Sequence, residues 1–287
     1  MTDYTVLLPA LNEEGGIAST LDRLNRLDPR PEVIVIDDGS TDRTAEIARQ
    51  KNAKVISHPI PGGYGRSLKD ALKHATYDVI VVTDADGTYP VERIPEMVSE
   101  LEKGYDLVVG ARQGRHYRGA FLKMPARIIF KWLVEFTTGT YIPDINSGLR
   151  VFRKSQIEPY LKDLCNGFSF TTTMTLIYLL TGKCVKYVTI DYHARLGKSK
   201  VRMIQDSLRT LQYIVEVIAT YNPLKLFVLL SGILFLFFGA SIVIFILKED
   251  QFFLLTAILF LIGIFVVFGQ GVQAFIKARE SRTMKQE

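Results

Sequence analysis

Apolar and polar positions over the first two hundred residues fall into a repeating rhythm of short runs and longer periodic stretches. Runs rich in Val, Ile and Leu occur at 4–8, 33–36, 54–57, 79–83 and 107–109. Between them, helical spacing of apolar residues covers about 13–26, 42–51, 66–75 and 91–103. Strands separated by helices of this length predict an α/β fold, with βαβ units around a parallel sheet covered on both faces. The stretch "DVIVVTD" agrees, because a strand buried on both faces loses its polar alternation. Farther on, the pattern predicts a helix over 127–136 and a strand in "SGLRVFRK". An apolar helix in "TTTMTLIYLLTG", ending at Gly182, and one more strand in "CVKYVTIDYHAR" follow.

The pattern then changes. Val201, Ile204, Leu208, Leu211, Val215 and Ile218 recur at steps of three and four, with Arg202, Gln205, Asp206, Arg209, Gln212 and Glu216 on the other face. That spacing predicts an amphipathic helix, either packed on a core or lying in a membrane interface; Lys198, Lys200, Arg202 and Arg209 at its start favour the interface. Residues 226–247 and 251–276 then contain no Asp, Glu, Lys or Arg. As helices they would measure roughly 33 and 39 Å, enough to cross a hydrocarbon core of about 30 Å. The expected organisation is a domain over 1–200, a juxtamembrane helix over 201–221, a two-helix transmembrane hairpin over 222–277 and a basic tail over 278–287.

Charge sets an orientation. Lys248, Glu249 and Asp250 form an acid-leaning turn between the runs, whereas Lys225, the stretch 195–209 and Lys277, Arg279, Arg282 and Lys285 are basic. The positive-inside bias therefore puts the soluble domain and both termini in the cytoplasm. The formal charge of +5 is explained by attraction to anionic lipid, so a bilayer, not nucleic acid, is the expected partner. A strand within the first ten residues argues against a signal peptide. Cys165 and Cys184 have no metal-ligand spacing, and in the cytoplasm their thiols are expected to be reduced.

Candidate chemistry lies at the ends of the predicted strands. "VTDADGTYP" places Asp84 and Asp86 directly after one of them, where open α/β sheets bind ligands. Two carboxylates there repel unless a cation lies between them, and hard divalent ions combine carboxylates with substrate phosphates. Alternatively, Asp86 begins a turn with Gly87 while Asp84 ends the strand in solvent. "VIVIDDGSTDRT" brings Asp37 and Asp38 to a second strand end, with Ser40, Thr41 or Asp42 as an N-cap. "LLPALNEEGG" brings Asn12, Glu13 and Glu14 to a third, where the glutamates also suit a helical first turn. Gly62, Gly63 and Gly65 in "PGGYGRSLKDAL" match neither a dinucleotide fingerprint nor a P-loop. They fit a close approach to a nucleotide or an ordinary turn.

"LLPALNEE", "VIDDGSTDRT", "VTDADGTYP", "VVGAR", "DINSGLRVF" and "RLGKSK", in this order over about residues 4–200, resemble the family-2 glycosyltransferases. The resemblance extends to the polyprenyl-phosphate sugar transferases of the dolichyl-phosphate mannose synthase type. It implies a GT-A fold, a Rossmann-like mixed sheet with helices on both faces. It also implies a nucleotide-sugar pocket bordered by Pro9, Asn12, Glu13, Glu14 and Gly65, with Asp37 or Asp38 on the base. Asp84 and Asp86 resemble the metal and diphosphate motif, for Mg²⁺ or Mn²⁺. Arg112, Asp144, Ser147, Gly148 and Arg150 resemble elements on the sugar and acceptor side, with Asp86, Arg112 and Asp144 in the catalytic set. Arg195, Ser199 and Lys200 match a segment that meets phosphate near the membrane; Arg112, Arg127, Lys131 and Ser147 are further candidates for the acceptor phosphate.

Two departures bear on mechanism. Many mannose synthases carry a metal-holding Gln where this chain has Thr88. Many relatives acting on hydroxyl acceptors place an acidic base where Thr171, Thr172 and Thr173 stand. A lipid phosphate is already anionic and needs no base, only positioning and positive charge. The expected function is therefore inverting transfer from UDP-glucose, GDP-mannose or a UDP-N-acetylhexosamine to a dolichyl or undecaprenyl phosphate, with self-association left open. The competing readings are a processive polysaccharide synthase, for which the Q-x-x-R-W signature is missing, and a non-catalytic membrane anchor or lipid-transport partner.

Overall fold

A computed structural model of the chain describes residues 2–114, 125–194 and 203–283. Packing divides it into two units, Met1–Ile214 and Val215–Glu287. The division falls inside a helix, not at residue 200.

The first unit is built on a seven-stranded sheet ordered β3-β2-β1-β4-β6-β5-β7. Its strands are β1 (Tyr4–Ala10), β2 (Glu32–Asp37), β3 (Lys54–Ser57), β4 (Val79–Val82), β5 (Leu107–Gln113), β6 (Arg150–Arg153) and β7 (Val185–Asp191). The sheet is mixed. β6 runs antiparallel between β4 and β5, while β1, β2, β3 and β4 are parallel neighbours. Alternating βαβ units alone predict a parallel sheet; the family resemblance carried the reversal.

Helices follow α1 (Ile17–Leu24), α2 (Thr44–Gln50), α3 (Tyr64–His74), α4 (Ile94–Glu102), α5 (Pro125–Thr138) and α6 (Phe170–Leu180). Because side chains alternate along a strand, Val6, Leu8, Val35, Val79 and Val81 share one sheet face. They cluster there with Ile17, Leu21 and Leu24 of α1 and Ile94, Met97 and Leu101 of α4. Leu7, Ile34, Ile36 and Ile80 point the other way and are also fully buried, and α3 packs on β1 and β2. Each such side chain contributes roughly 1.5–3 kcal/mol by leaving water, which anchors the strand ends that carry the polar loops.

Pro9 fits inside the central strand for a local reason. The Leu7 carbonyl accepts Thr83 N–H on the β4 side, and the Ala10 carbonyl accepts Asp38 N–H on the β2 side. Pro9 is in phase with Leu7, so its missing N–H faces β4, which has already ended at Val82. No ladder bond is lost.

Helix α7 (Met203–Tyr221) realises the predicted amphipathic segment, with a different stripe inside. Thr210, Ile214, Val217, Ile218 and Tyr221 are buried, and Leu208, expected on the apolar face, is 65% exposed. In the second unit α8 (Pro223–Lys248) turns through the left-handed Glu249 into α9 (Gln251–Thr283). Phe237 stacks on Phe260 and Phe227 packs against Gly271, so the two helices lie antiparallel. Over Pro223–Lys248 and Gln251–Glu280 both are long and apolar enough to cross a membrane, and little of either is buried in protein. The tail predicted from residue 278 begins as further turns of α9.

Candidate active site

β1 and β2 end in step, with Ala10 paired to Asp37, and the neighbouring parallel strand β4 ends at Val82 beside Leu7, so their polar loops share one sheet edge. The loops after β1 and β2 are tied to each other. Asn12, in the left-handed region at φ 50°, accepts Thr41 N–H through its side chain at 2.7 Å, and its own N–H reaches Ser40 Oγ at 2.8 Å. Glu13 N–H donates to Thr44 Oγ1 at 2.8 Å, and Glu14 accepts Arg43 N–H at 3.3 Å. Helix α1 starts only at Ile17, so the two glutamates precede it instead of forming its first turn. The N-cap position of α2 falls on Arg43 and carries no side-chain cap, so none of Ser40, Thr41 or Asp42 occupies it; Asp42 accepts Thr44 N–H at 3.0 Å from the turn before the helix. Asp37 accepts Ser40 N–H at 3.0 Å within its own turn.

Asp38 organises the next loop. Its Oδ1 meets His58 Nδ1 and Gly62 N, and its Oδ2 meets Gly63 N, all at 2.8 Å. Burial alone would raise this carboxyl, but hydrogen bonds from His58, both glycine amides and Ser67 outweigh it and hold Asp38 below its ordinary value. His58 in turn lies 3.4 Å from Asp70. The glycines that follow serve protein packing. A Cβ on Gly65 would stand 2.2 Å from the Cys165 carbonyl oxygen, and Gly65 N–H donates to the Gly167 carbonyl at 3.2 Å. Gly65, expected at the nucleotide, therefore faces the 165–167 backbone.

A cleft of about 320 Å³ opens over this edge. Pro9, Glu13 and Asp38 line it from the first two strands, Asp84 and Asp86 from β4, and Tyr64 and Phe168 from α3 and the loop before α6. Asp86 is buried, and its Oδ1 accepts both Thr88 N–H at 3.1 Å and Thr88 Oγ1 at 2.6 Å. Asp84 accepts the Tyr64 hydroxyl at 3.3 Å. Burial, then the Asp84 charge, pushes the Tyr64 phenol well above its usual value.

Among the described residues no three His, Cys, Asp or Glu side chains converge on one point. Two hard carboxylates beside an open cleft nevertheless suit Mg²⁺ or Mn²⁺, which complete their shells with water and substrate phosphate. Asp84 and Asp86 are the residues that would hold such an ion.

Beyond the cleft, the segment before β6 reaches the same edge because that strand is reversed. Asp144 accepts Arg112 Nε at 2.7 Å and Nη2 at 2.9 Å. Burial opposes both charges, but the pairing dominates: Asp144 is held below its usual range and Arg112 well above. Ser147 is fully buried, with its hydroxyl donating to the Gly110 carbonyl, so it braces β5. Arg150 is buried as well, donating to the Ser147 and Ile145 carbonyls and to Thr175 Oγ1. Burial pushes it down to about 10. Thr172 bonds Asn146, and Thr173 bonds back to Ser169 and Phe170, so these threonines stabilise the segment. Lys131 sits 4.5 Å from the centre of the Tyr141 ring and 3.7 Å from Glu135. Arg195, Ser199, Lys200 and the Arg127 side chain lie outside the described residues.

The profile of the family described as glycosyl transferase family 2 matches residues 5–161. The chain belongs to this family. It is 33% identical to the dolichyl-phosphate hexose transferase of Haloferax volcanii over 211 residues, covering 70% of this chain and 90% of that protein. It is 29% identical to the low-salt glycan biosynthesis hexosyltransferase Agl6 of the same organism, covering 74% of this chain and about half (52%) of that protein. Glucosyl-3-phosphoglycerate synthase of Mycobacterium tuberculosis shares the fold. Its complex with phosphoglyceric acid superposes with a TM-score of 0.63 at 24% identity, over 75% of this chain and 79% of that one. Its complex with Mn²⁺, UDP-glucose and phosphoglyceric acid gives 0.60 at 22% identity, over the same shares.

Within this family-2 glycosyltransferase, motif reading did not single out Tyr64, His58, Tyr89, Tyr192 or Phe168. Tyr89 accepts Gly148 N–H at 2.7 Å, and Tyr192 lies under Arg112 at 5.3 Å. For Tyr64 and Tyr89 the sequence signal is an aromatic residue beside glycine in a polar stretch, as in "GGYG" and "DGTYP".

Proposed function

We propose that this family-2 enzyme transfers a hexose from a nucleotide sugar to a polyprenyl phosphate with inversion, giving a polyprenyl-phosphate monosaccharide. The observation that carries the reading is the pair Asp84 and Asp86 opening together onto the cleft at the strand ends. Similarity to a dolichyl-phosphate hexose transferase over most of its length supports the acceptor class. Fold relatives that bind Mn²⁺ with UDP-glucose, or Mg²⁺ with UDP, support the donor and the ion. The exposed Ile128, Ile129 and Trp132 on α5, Leu208 on α7 and the two long apolar helices support work at a bilayer.

In this mechanism Asp84 and Asp86 would hold Mg²⁺ or Mn²⁺ beside the donor diphosphate, and the ion, when bound, would supply Lewis-acid stabilisation of the leaving group. An acceptor phosphate oxygen forms the new bond to the anomeric carbon from the face opposite the breaking bond to the nucleotide. The nucleotide diphosphate leaves with the electron pair. No proton needs removal from the acceptor, which accords with threonines at 171–173. Arg112, held by Asp144, offsets repulsion between the two phosphate groups. The catalytic domain and both termini face the cytoplasm. The test is transfer from radiolabelled UDP- and GDP-sugars to polyprenyl phosphate by the purified full chain. One donor should be used, and Asp86→Ala should abolish transfer while the protein stays folded. Wild-type turnover in that variant overturns the site.

A further inference from the structure

The two carboxylates are restrained in the same way by unrelated parts of the chain. Asp86 Oδ1 takes the Thr88 amide at 3.1 Å and its hydroxyl at 2.6 Å. Gly87, at φ 75°, folds the chain back so that both donors reach the same oxygen, an Asx-type turn. Thr88 is fully buried, so its hydroxyl serves the carboxylate from behind. Asp84 Oδ1 takes the Tyr64 hydroxyl at 3.3 Å, delivered by the first residue of α3. On its other side the carboxylate abuts Gly148, where an added Cβ would lie 2.9 Å from Oδ1 and 3.0 Å from Oδ2.

A carboxylate with one oxygen engaged by a hydroxyl donor is held against turning both oxygens onto one ion. That distinction separates hard cations. Mg²⁺ demands a tight octahedron with one-point carboxylate contacts, water and phosphate; Ca²⁺ takes six to eight oxygens and readily accepts two-point carboxylates. We infer that Tyr64 and Thr88 are positioning residues that keep Asp84 and Asp86 one-point ligands, and so make the site select small octahedral cations over Ca²⁺. The inference rests on the reading of these two aspartates as the ion's ligands. It also gives Thr88 a role: it stands behind the carboxylate where many mannose synthases place a glutamine ligand.

The experiment is Mn²⁺ binding to the purified full chain, followed by loss of the free-ion electron paramagnetic resonance signal. Titrations are run with UDP and with GDP, and Mg²⁺ or Ca²⁺ competes. Wild type should bind Mn²⁺ with at least one nucleotide, and Ca²⁺ should compete poorly. Thr88→Val should weaken Mn²⁺ about tenfold and improve Ca²⁺ competition relative to Mg²⁺ about tenfold; Thr88→Ser should restore wild-type behaviour. Tyr64→Phe, a change at the cleft wall, should shift the same ratio in the same direction by a smaller factor, and it decides the matter should Thr88→Val fail to fold. An unchanged Ca²⁺-to-Mg²⁺ ratio in folded Thr88→Val or Tyr64→Phe overturns the inference and leaves the aspartates as ligands. Mn²⁺ binding by Asp86→Ala equal to wild type, or no binding by wild type with either nucleotide, removes the site reading and the inference with it.

Discussion

Asp144 grips Arg112 at three points: Nε at 2.7 Å, Nη2 at 2.9 Å and the Arg112 backbone N–H at 3.2 Å. A carboxylate engaged in this way fixes the plane of a guanidinium; it does not accept a proton from an attacking group. The resemblance placed both residues in the catalytic set, and the geometry divides their work. In the proposed reaction Arg112 would offer charge to phosphate, and Asp144, which holds its guanidinium, would set where that charge stands.

Asp144→Asn leaves the partly buried Arg112 without its counter-charge. Removing one member of such a pair costs about 3–5 kcal/mol. Denaturant or thermal unfolding should show that loss, and transfer should fall while Mn²⁺ and nucleotide still bind. Unchanged stability would show that the pair is solvated in solution.

Acid sensitivity follows from the same pair and from Asp38. Both carboxyls are held below their ordinary values, so the unfolded chain binds their protons first as pH falls. Their contribution is complete above the ordinary carboxylate value of about 3.9 and is lost as pH drops through the lower folded values. Arg112 is shifted upward, so its contribution is lost only above the ordinary arginine range. Between pH 8 and 5 these groups should leave stability flat. Below about pH 4, Asp144→Asn should show a shallower loss than wild type in unfolding measured against pH.

Gly148→Ala inserts a methyl group against Asp84, at 2.9 Å from Oδ1. The carboxylate must move by several tenths of an ångström or more. Displacements of that order can cost about a hundredfold in rate. Turnover at saturating Mn²⁺ should fall by that order with the melting temperature nearly kept, and normal turnover would show that Asp84 has room to yield.

Arg195→Ala should abolish transfer with nucleotide affinity largely retained, as measured by calorimetry with UDP and GDP. Equal loss of nucleotide binding would assign Arg195 to the donor side.

Much of the site was legible because its signals are local. Lys54–Ser57 emerges with the predicted bounds, and apolar runs ending in acidic residues marked the ends of β2 and β4. What stayed hidden depends on contacts between distant segments. Nothing in the periodicity of "SGLRVFRK" reveals that its strand runs backwards, since alternation is the same in either direction. Gly65 looked like a nucleotide contact because a glycine reports only that something comes close, and here it is the backbone of residues 165–167. Helix α7 was located correctly but rotated, because Thr210 enters the buried stripe through a hydroxyl bond to Ser169 at 2.7 Å.

The reversed β6 has one more consequence. Arg150 is paired with Val82 on one side and Val109 on the other, so the residues just before it are fixed in step with the end of β4 and the middle of β5. Adding or deleting a single residue between Asn146 and Arg150 would slide Gly148 off Asp84, or invert the strand's faces. Connections on a protein surface tolerate insertions and deletions; this one is buried at Ser147, Leu149 and Arg150, and a change in its length would be felt at Asp84.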